Sequence, residues 1–265
     1  GLQSLNDQTL RWLGRIHDAR QGEQTFRWAG KSGFDNIGID LIYGIPGQTE
    51  KQWAAELSAA AELGAQHLSC YILTLEPGTP LSLKAEEGRI SPPDEKVVGE
   101  LFSFTGEFLS RNGYRHYEVS NFARAPRSDT TDYRSRHNRK YWTFAPYLGF
   151  GPAAHSFSDN RRWWNTRFLE DYLNAIKSGA SPIDEMETLS REQQIVEYIY
   201  LSLRQDVGID IVDFESRFNT RFCQSREAEV SRLADEGLIE KSRHAIRPTA
   251  RGMRFLNHVV DRLID

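Results

Sequence analysis

One succession near the start of the chain narrows its folds to a few: a buried strand, a glycine turn, a capped helix and a second buried strand. Asn36 to Tyr43 is a mostly apolar run with the β-branched residues Ile37, Ile39 and Ile42, stopped by Gly44-Ile45-Pro46-Gly47. Thr49 with Gln52 three residues later makes a capping box, after which Trp53, Leu57, Ala60 and Leu63 recur at helical spacing before Gly64. His67 to Leu75 is the next strand. Before this unit, Gln24 to Ser32 reads as a helix end with Phe26 and Trp28 for packing, closed by Gly33. After it, the turn Glu76-Pro77-Gly78-Thr79 leads to Pro92-Pro93-Asp94, which start a helix with the stripe Val97, Leu101, Phe104 and Phe108. Gly113 ends that helix, and Tyr114 to Phe122 is strand-like. Strands and helices alternating at intervals of about 30 to 45 residues predict an α/β fold of right-handed crossovers in a parallel sheet or barrel, with ligands at strand C-terminal ends.

Ser178-Gly179-Ala180-Ser181-Pro182 has the composition of a linker, so the expected domains are residues 1–180 and 185–265. In the second, Ser190 with Gln193 forms another capping box and opens a helix through Leu203. Ile211 to Arg217 and Glu227 to Glu236 then read as helices, Gly237 to Thr249 as a hairpin, and the end of the chain as a last helix. This order resembles a winged helix. Such modules often bind DNA, but Glu227, Glu229, Asp235 and Glu236 on its second helix oppose a phosphate surface, so the expectation is a structural appendage and no nucleic-acid partner.

Of the 265 residues, 39% are hydrophobic and 26% charged, enough for a sizeable core, and a net charge of −4 gives no global attraction to nucleic acid or an anionic membrane. No run approaches the ~20 apolar residues of a membrane span. Cys70 and Cys223 are far apart, without the spacing of a metal site, and read as small apolar side chains in a reducing cytoplasm. Gly1-Leu2-Gln3-Ser4 carries no initiator methionine and no signal peptide, so the chain is expected to be a fragment.

Seven motifs follow one another in order: Gly1-Leu2-Gln3-Ser4, Leu13-Gly14-Arg15-Ile16-His17, Ile39 to Thr49, Leu75-Glu76-Pro77-Gly78-Thr79, Tyr117 to Ala123, His137-Asn138-Arg139-Lys140-Tyr141-Trp142 and Leu148 to Ser156. Together they resemble the oxygen-independent coproporphyrinogen III oxidase family of radical S-adenosylmethionine proteins, in its heme chaperone branch. The resemblance implies the C-terminal half of a partial six-stranded βα barrel, with strands four to six here, then a family-specific extension and the small winged-helix-like domain. It also implies S-adenosylmethionine and a 4Fe-4S cluster. The family's Cys-x-x-x-Cys-x-x-Cys loop, whose open iron position binds the cosubstrate, does not occur in this chain, which is therefore expected to be inactive by itself.

By the same resemblance, S-adenosylmethionine contacts fall on Gln3, Arg15, Asp40, Thr74 and His155. A strand-end carboxylate such as Asp40 can accept bonds from ribose hydroxyls, and Arg15 can clamp a carboxylate. On spacing alone Asp40 is a turn or capping carboxylate, Arg15 and Gln3 are surface residues, Thr74 is an ordinary strand residue and His155 a core histidine. Gly149 and Gly151 read as close packing rather than a phosphate loop.

Between Arg124 and Trp142, six basic residues (Arg124, Arg127, Arg134, Arg136, Arg139, Lys140) face two acidic ones, Asp129 and Asp132. Guanidinium groups suit propionates, His137 can ligate heme iron, and Tyr141 and Trp142 can lie against a macrocycle. On composition alone this is a solvated arginine-rich loop. The pattern His137, Asn138, Tyr141, Trp142 implies heme binding within the family, and delivery of heme to respiratory proteins, with peripheral membrane association through those partners. The alternative is radical decarboxylation of coproporphyrinogen III in porphyrin biosynthesis. The oligomeric state is not legible.

Overall fold

The computed structural model describes residues 1–125 and 131–264, in two compact units, Gly1–Arg134 and Ser135–Asp265. In the first, helices α1 (Asp7–Trp12) and α2 (Ala19–Lys31) precede strand β1 (Gly38–Tyr43), helix α3 (Glu50–Glu62) and strand β2 (His67–Ile72). Helices α4 (Pro80–Glu86) and α5 (Glu95–Arg111) then lead to strands β3 (Tyr114–Glu118) and β4 (Asn121–Arg124). The sheet order is β1-β2-β4-β3, with β1 and β2 parallel and β4 antiparallel to both its neighbours. At the outer edge of β1, Gln3 adds a parallel bridge to Leu41, its N–H donating to the Asp40 carbonyl at 2.7 Å.

The predicted crossover is present: Thr49 and Gln52 cap α3 reciprocally, and Trp53, Leu57 and Ala60 are buried against Ile39, Leu41, Tyr43 and Leu68. Two expectations are corrected. Trp28 is 60% exposed, while Phe26 packs on the core. Tyr114 to Phe122 is not one strand but a hairpin, and β4, not β3, lies next to β2. Its turn has no glycine or proline; instead the Glu118 carboxylate accepts the Ser120 N–H at 3.0 Å and the Asn121 amide at 2.5 Å. That side-chain closure does the work of a turn residue.

Ser4 Oγ and the Leu5 N–H both donate to the carboxylate of Glu56 on α3, fixing the N-terminal segment to the sheet unit. Burial raises the Glu56 pKa above the ordinary 4.5, the two hydrogen bonds only partly opposing it. The folded state thus holds its proton more tightly than the unfolded one, so stability is full below pH 4.5 and falls as pH rises through the folded value. Urea unfolding measured from pH 4 upwards should show this decline in the native sequence and a flatter profile in Glu56→Gln; equal slopes would contradict the assignment.

In the second unit, α6 (Arg136–Trp142) is followed by β5 (His155–Ser158), β6 (Arg161–Asn165), α7 (Leu169–Ser178) and β7 (Ile183–Thr188), the strands forming an antiparallel sheet β5-β6-β7. The segment 178–182 connects α7 to β7 inside this unit. Then come α8 (Arg191–Leu203), β8 (Ile209–Asp210), α9 (Ile211–Phe218), α10 (Phe222–Asp235), β9 (Ile239–Lys241), β10 (Ala245–Pro248), α11 (Ala250–Arg254) and α12 (Leu256–Ile264). The helix–strand–helix–helix–hairpin order with sheet β8-β10-β9 is that of a winged helix. Its core is aromatic, with Phe214 and Phe222 fully buried and their rings 4.9 Å apart. Two acidic residues of α10 and the one at its C-cap are tied within the module: Glu227 to Lys241, and Glu229 and Glu236 to Arg262. Among the described residues no helix is long and apolar enough to cross a membrane.

Candidate functional site

Alternation along β1 sends Ile39, Leu41 and Tyr43 to the helix-covered face and Asp40 to the other. Asp40 is in register with Ser69 on β2, Ser69 with Asn121 on β4, and Asn121 with Glu118 on β3. A polar row therefore crosses the sheet on one face. Ser69 Oγ donates to Asn121 Oδ1 at 3.0 Å, and beside the row His67 Nε2 lies 2.7 Å from the Tyr117 hydroxyl. Glu118, Asn121, Ser69 and His67 are all buried, and Asp40 is half-buried at the open end. Burial lowers the His67 pKa, with the Asp40 and Glu118 carboxylates acting against it.

Gln3 and Asp40 come together at this edge. A Cβ on Gly1 would lie 2.5 Å from Gln3 Nε2 and 3.5 Å from Asp40 Oδ2, so both side chains border one spot. Asp40 is the third residue of β1 rather than its end. Thr74 lies two residues beyond the end of β2, whose last register partner is Tyr43; it is exposed and its hydroxyl donates to the Ile72 carbonyl at 3.4 Å. Arg15 is exposed after the left-handed Gly14, and its guanidinium meets no carboxylate among the described residues. Of the four predicted contacts on this unit, Gln3 and Asp40 lie side by side, while Arg15 and Thr74 are exposed on the segments that follow α1 and β2.

The predicted basic segment also divides. Arg124 ends β4, its guanidinium donating to the Ala65 and Ala61 carbonyls at 3.0 and 3.1 Å and lying over the Tyr114 ring. Arg134 is paired with Asp132 at 2.9 Å. Arg127 and Asp129 lie outside the described residues. Arg136, Arg139 and Lys140 lie on α6.

Ser135 caps α6 through the Asn138 N–H, so the motif forms a short helix rather than a loop. His137 and Tyr141, one turn apart, share a face with ring centroids 5.0 Å apart, and Tyr141 meets Tyr147 at 4.6 Å. His137 and Tyr141 are exposed, Asn138 and Trp142 half-buried, and the Trp142 carbonyl accepts from Gln205.

This aromatic ladder opens into a cavity of about 610 Å³ that sequence reasoning did not reach. Tyr141, Phe144 and Tyr147 form one wall, and Val196, Glu197, Tyr200 and Leu201 of α8 another. The floor is a single face of the β5-β6-β7 sheet: alternate residues His155, Phe157, Arg162, Trp164 and Glu187 line it. The His155 ring stacks on Trp164 at 5.4 Å. Arg162 donates to Glu187 at 3.1 Å and to both oxygens of Glu197 at 2.7 Å. Burial works to lower the Arg162 pKa, but those carboxylates prevail and raise it. Gly149 has a structural reason here, since a Cβ would sit 2.2 Å from the His155 carbonyl oxygen. The readable signal was the run Arg161-Arg162-Trp163-Trp164, whose alternate members face the cavity.

Residues 189–255 match the HemN C-terminal domain family. The chain is 30% identical over 259 residues to the heme chaperone HemW of Bacillus subtilis, covering 98% of this chain and 67% of that protein. It is 31% identical over 264 residues to the heme chaperone HemW of Lactococcus lactis, covering 100% and 68%. Its fold matches the solved structure of the coproporphyrinogen III oxidase HemN from Escherichia coli, described as a radical SAM enzyme, with a TM-score of 0.77 at 22% identity over 98% of this chain and 62% of that one. The chain spans about two thirds of the length of these proteins, and it belongs to the HemW family, with the fold of HemN.

Proposed function

We propose that the protein binds heme through its second unit and hands it to heme-accepting respiratory proteins, as a cytoplasmic chaperone that also uses S-adenosylmethionine and a 4Fe-4S cluster. The observation that carries this reading is the ladder from His137 through Tyr141 and Tyr147 into an aromatic cavity, on a helix whose remaining free-facing residues include Arg136 and Lys140. Flat aromatic walls suit a macrocycle, and cations at the rim suit its propionates. The names of the HemW relatives point the same way.

Gln3 and Asp40 are the proposed cosubstrate contacts in this chain, as an amide and a carboxylate beside one another at the open edge of the polar row, a donor set suited to ribose and amino groups. Bound there, S-adenosylmethionine would supply the sulfonium that a cluster can reduce. Cys70 and Cys223 are not proposed as cluster ligands: Cys70 is buried in the sheet core, where burial pushes its thiol pKa up.

Heme titration of the full-length protein tests the reading. The expected outcome is a saturable Soret shift, weakened about tenfold in the double variant His137→Ala, Trp142→Ala. An absent shift, or anaerobic turnover of coproporphyrinogen III by the cluster-loaded protein, would favour the oxidase alternative.

A further inference from the structure

We infer that His155 is an iron ligand for the tetrapyrrole, holding it on the sheet floor of the cavity; this rests on the heme-binding reading above and replaces the cosubstrate role that the family resemblance implies for this residue. His155 is the first residue of β5, and its backbone is fixed by the strand pairing to Trp164 and by the close approach of Gly149. Its ring is placed by stacking on Trp164, and no hydrogen bond from either ring nitrogen is made among the described residues. A histidine so placed has an oriented ring and nitrogens free to bind a metal, which is what axial ligation requires.

The rest of the floor argues for a metal-bearing flat ligand rather than a small anion. Arg162 is the cavity's only lining cation among the described residues, and it is already shared between Glu187 and Glu197. One guanidinium against two carboxylates leaves that end net negative, so propionates turn away from it. They face instead the solvent side of the rim, where α6 carries the exposed cations Arg136 and Lys140. His155 on the floor would hold the iron, and Tyr147 and the α8 residue Tyr200 would border the macrocycle. His137, exposed on the outer face of the ladder, acts at the rim as a second or transfer ligand rather than as the one that seats the iron.

The test uses full-length protein with ferric heme, read by Soret position and electron paramagnetic resonance. His155→Phe keeps a flat ring on Trp164 and removes both nitrogens, so the cavity should persist without its ligand. Its expected result is loss of the histidine-ligated low-spin signal and about tenfold weaker heme binding, with iron-free protoporphyrin bound as well as by the native protein and the signal restored by added imidazole. His137→Ala should retain the low-spin signal. A His155→Phe protein that keeps the native Soret position and signal overturns the inference while leaving heme binding in place. Equal weakening for heme and iron-free porphyrin overturns it too, since that would be a packing effect. A native protein that binds no heme would instead defeat the function proposed above, and this inference with it.

Discussion

Replacing Trp53 with alanine is expected to destabilise the first unit by about 3 to 5 kcal/mol, the range for deleting a large buried aromatic. Trp53 is fully buried at the centre of the α3–sheet interface. Its indole stacks on Tyr43 with centroids 5.1 Å apart and donates to Thr105 Oγ1 on α5 at 2.8 Å. One side chain thus joins β1, α3 and α5, and the cavity left by its removal is bordered by a strand and two helices that cannot close on it without breaking the sheet register. Trp53→Phe keeps the stacking surface and loses the hydrogen bond, and Thr105 still donates to the Leu101 carbonyl at 2.6 Å. Its cost should therefore be about 1 kcal/mol. Chemical denaturation followed by circular dichroism compares the two; similar losses for both variants would mean that the hydrogen bond, not the packing, fixes this junction.

The α3 crossover was legible because every local signal agreed: a β-branched run, a glycine turn, a capping box and a helical stripe all specified the same unit. The same agreement made Ser190, Gln193 and the helix to Leu203 readable. The α5 stripe was read less well. Its buried positions are Leu101, Phe102, Thr105 and Leu109, whereas Val97 is exposed and Phe104 and Phe108 only border the core. Thr105 could not be chosen from hydrophobicity, because its place inside depends on a tryptophan N–H from another helix.

The hairpin at 119–120 and the sheet of β5, β6 and β7 failed to show for different reasons. The hairpin turn is made by a carboxylate three residues from its amide partner, in a stretch with continuous strand propensity. The sheet has a 10-residue helix, α7, between its second and third strands, so its pairing is non-local, and the Ser178 to Pro182 segment looked like a linker because it leaves that helix through Gly179 in a left-handed conformation. The candidate site followed the same division. Residues of α6 could be named from a contiguous motif, but their cavity is completed by the β5-β6-β7 sheet and α8, and His155 and Trp164 reach it only through strand pairing.

Within the winged helix, Gly208→Ala is expected to cost about 3 kcal/mol, because steric overlap with a strand adds to an unfavourable backbone conformation. Gly208 has φ +65°, and a Cβ there would lie 2.0 Å from the Ile246 carbonyl oxygen and 2.7 Å from Arg247 Cα. Those are backbone atoms of β10, and Ile246 is the register partner of Ile209. The methyl group would therefore push apart the β8–β10 pairing on which the wing is built, and no side-chain rotation can relieve it. Gly237 offers a matched comparison: its φ is +69°, but nothing lies within 4 Å of the same methyl position. Gly237→Ala carries the conformational cost alone, about 1 kcal/mol. Thermal unfolding of the two variants separates the effects. If both lose the same stability, the close approach of β8 to β10 is not what demands glycine at 208.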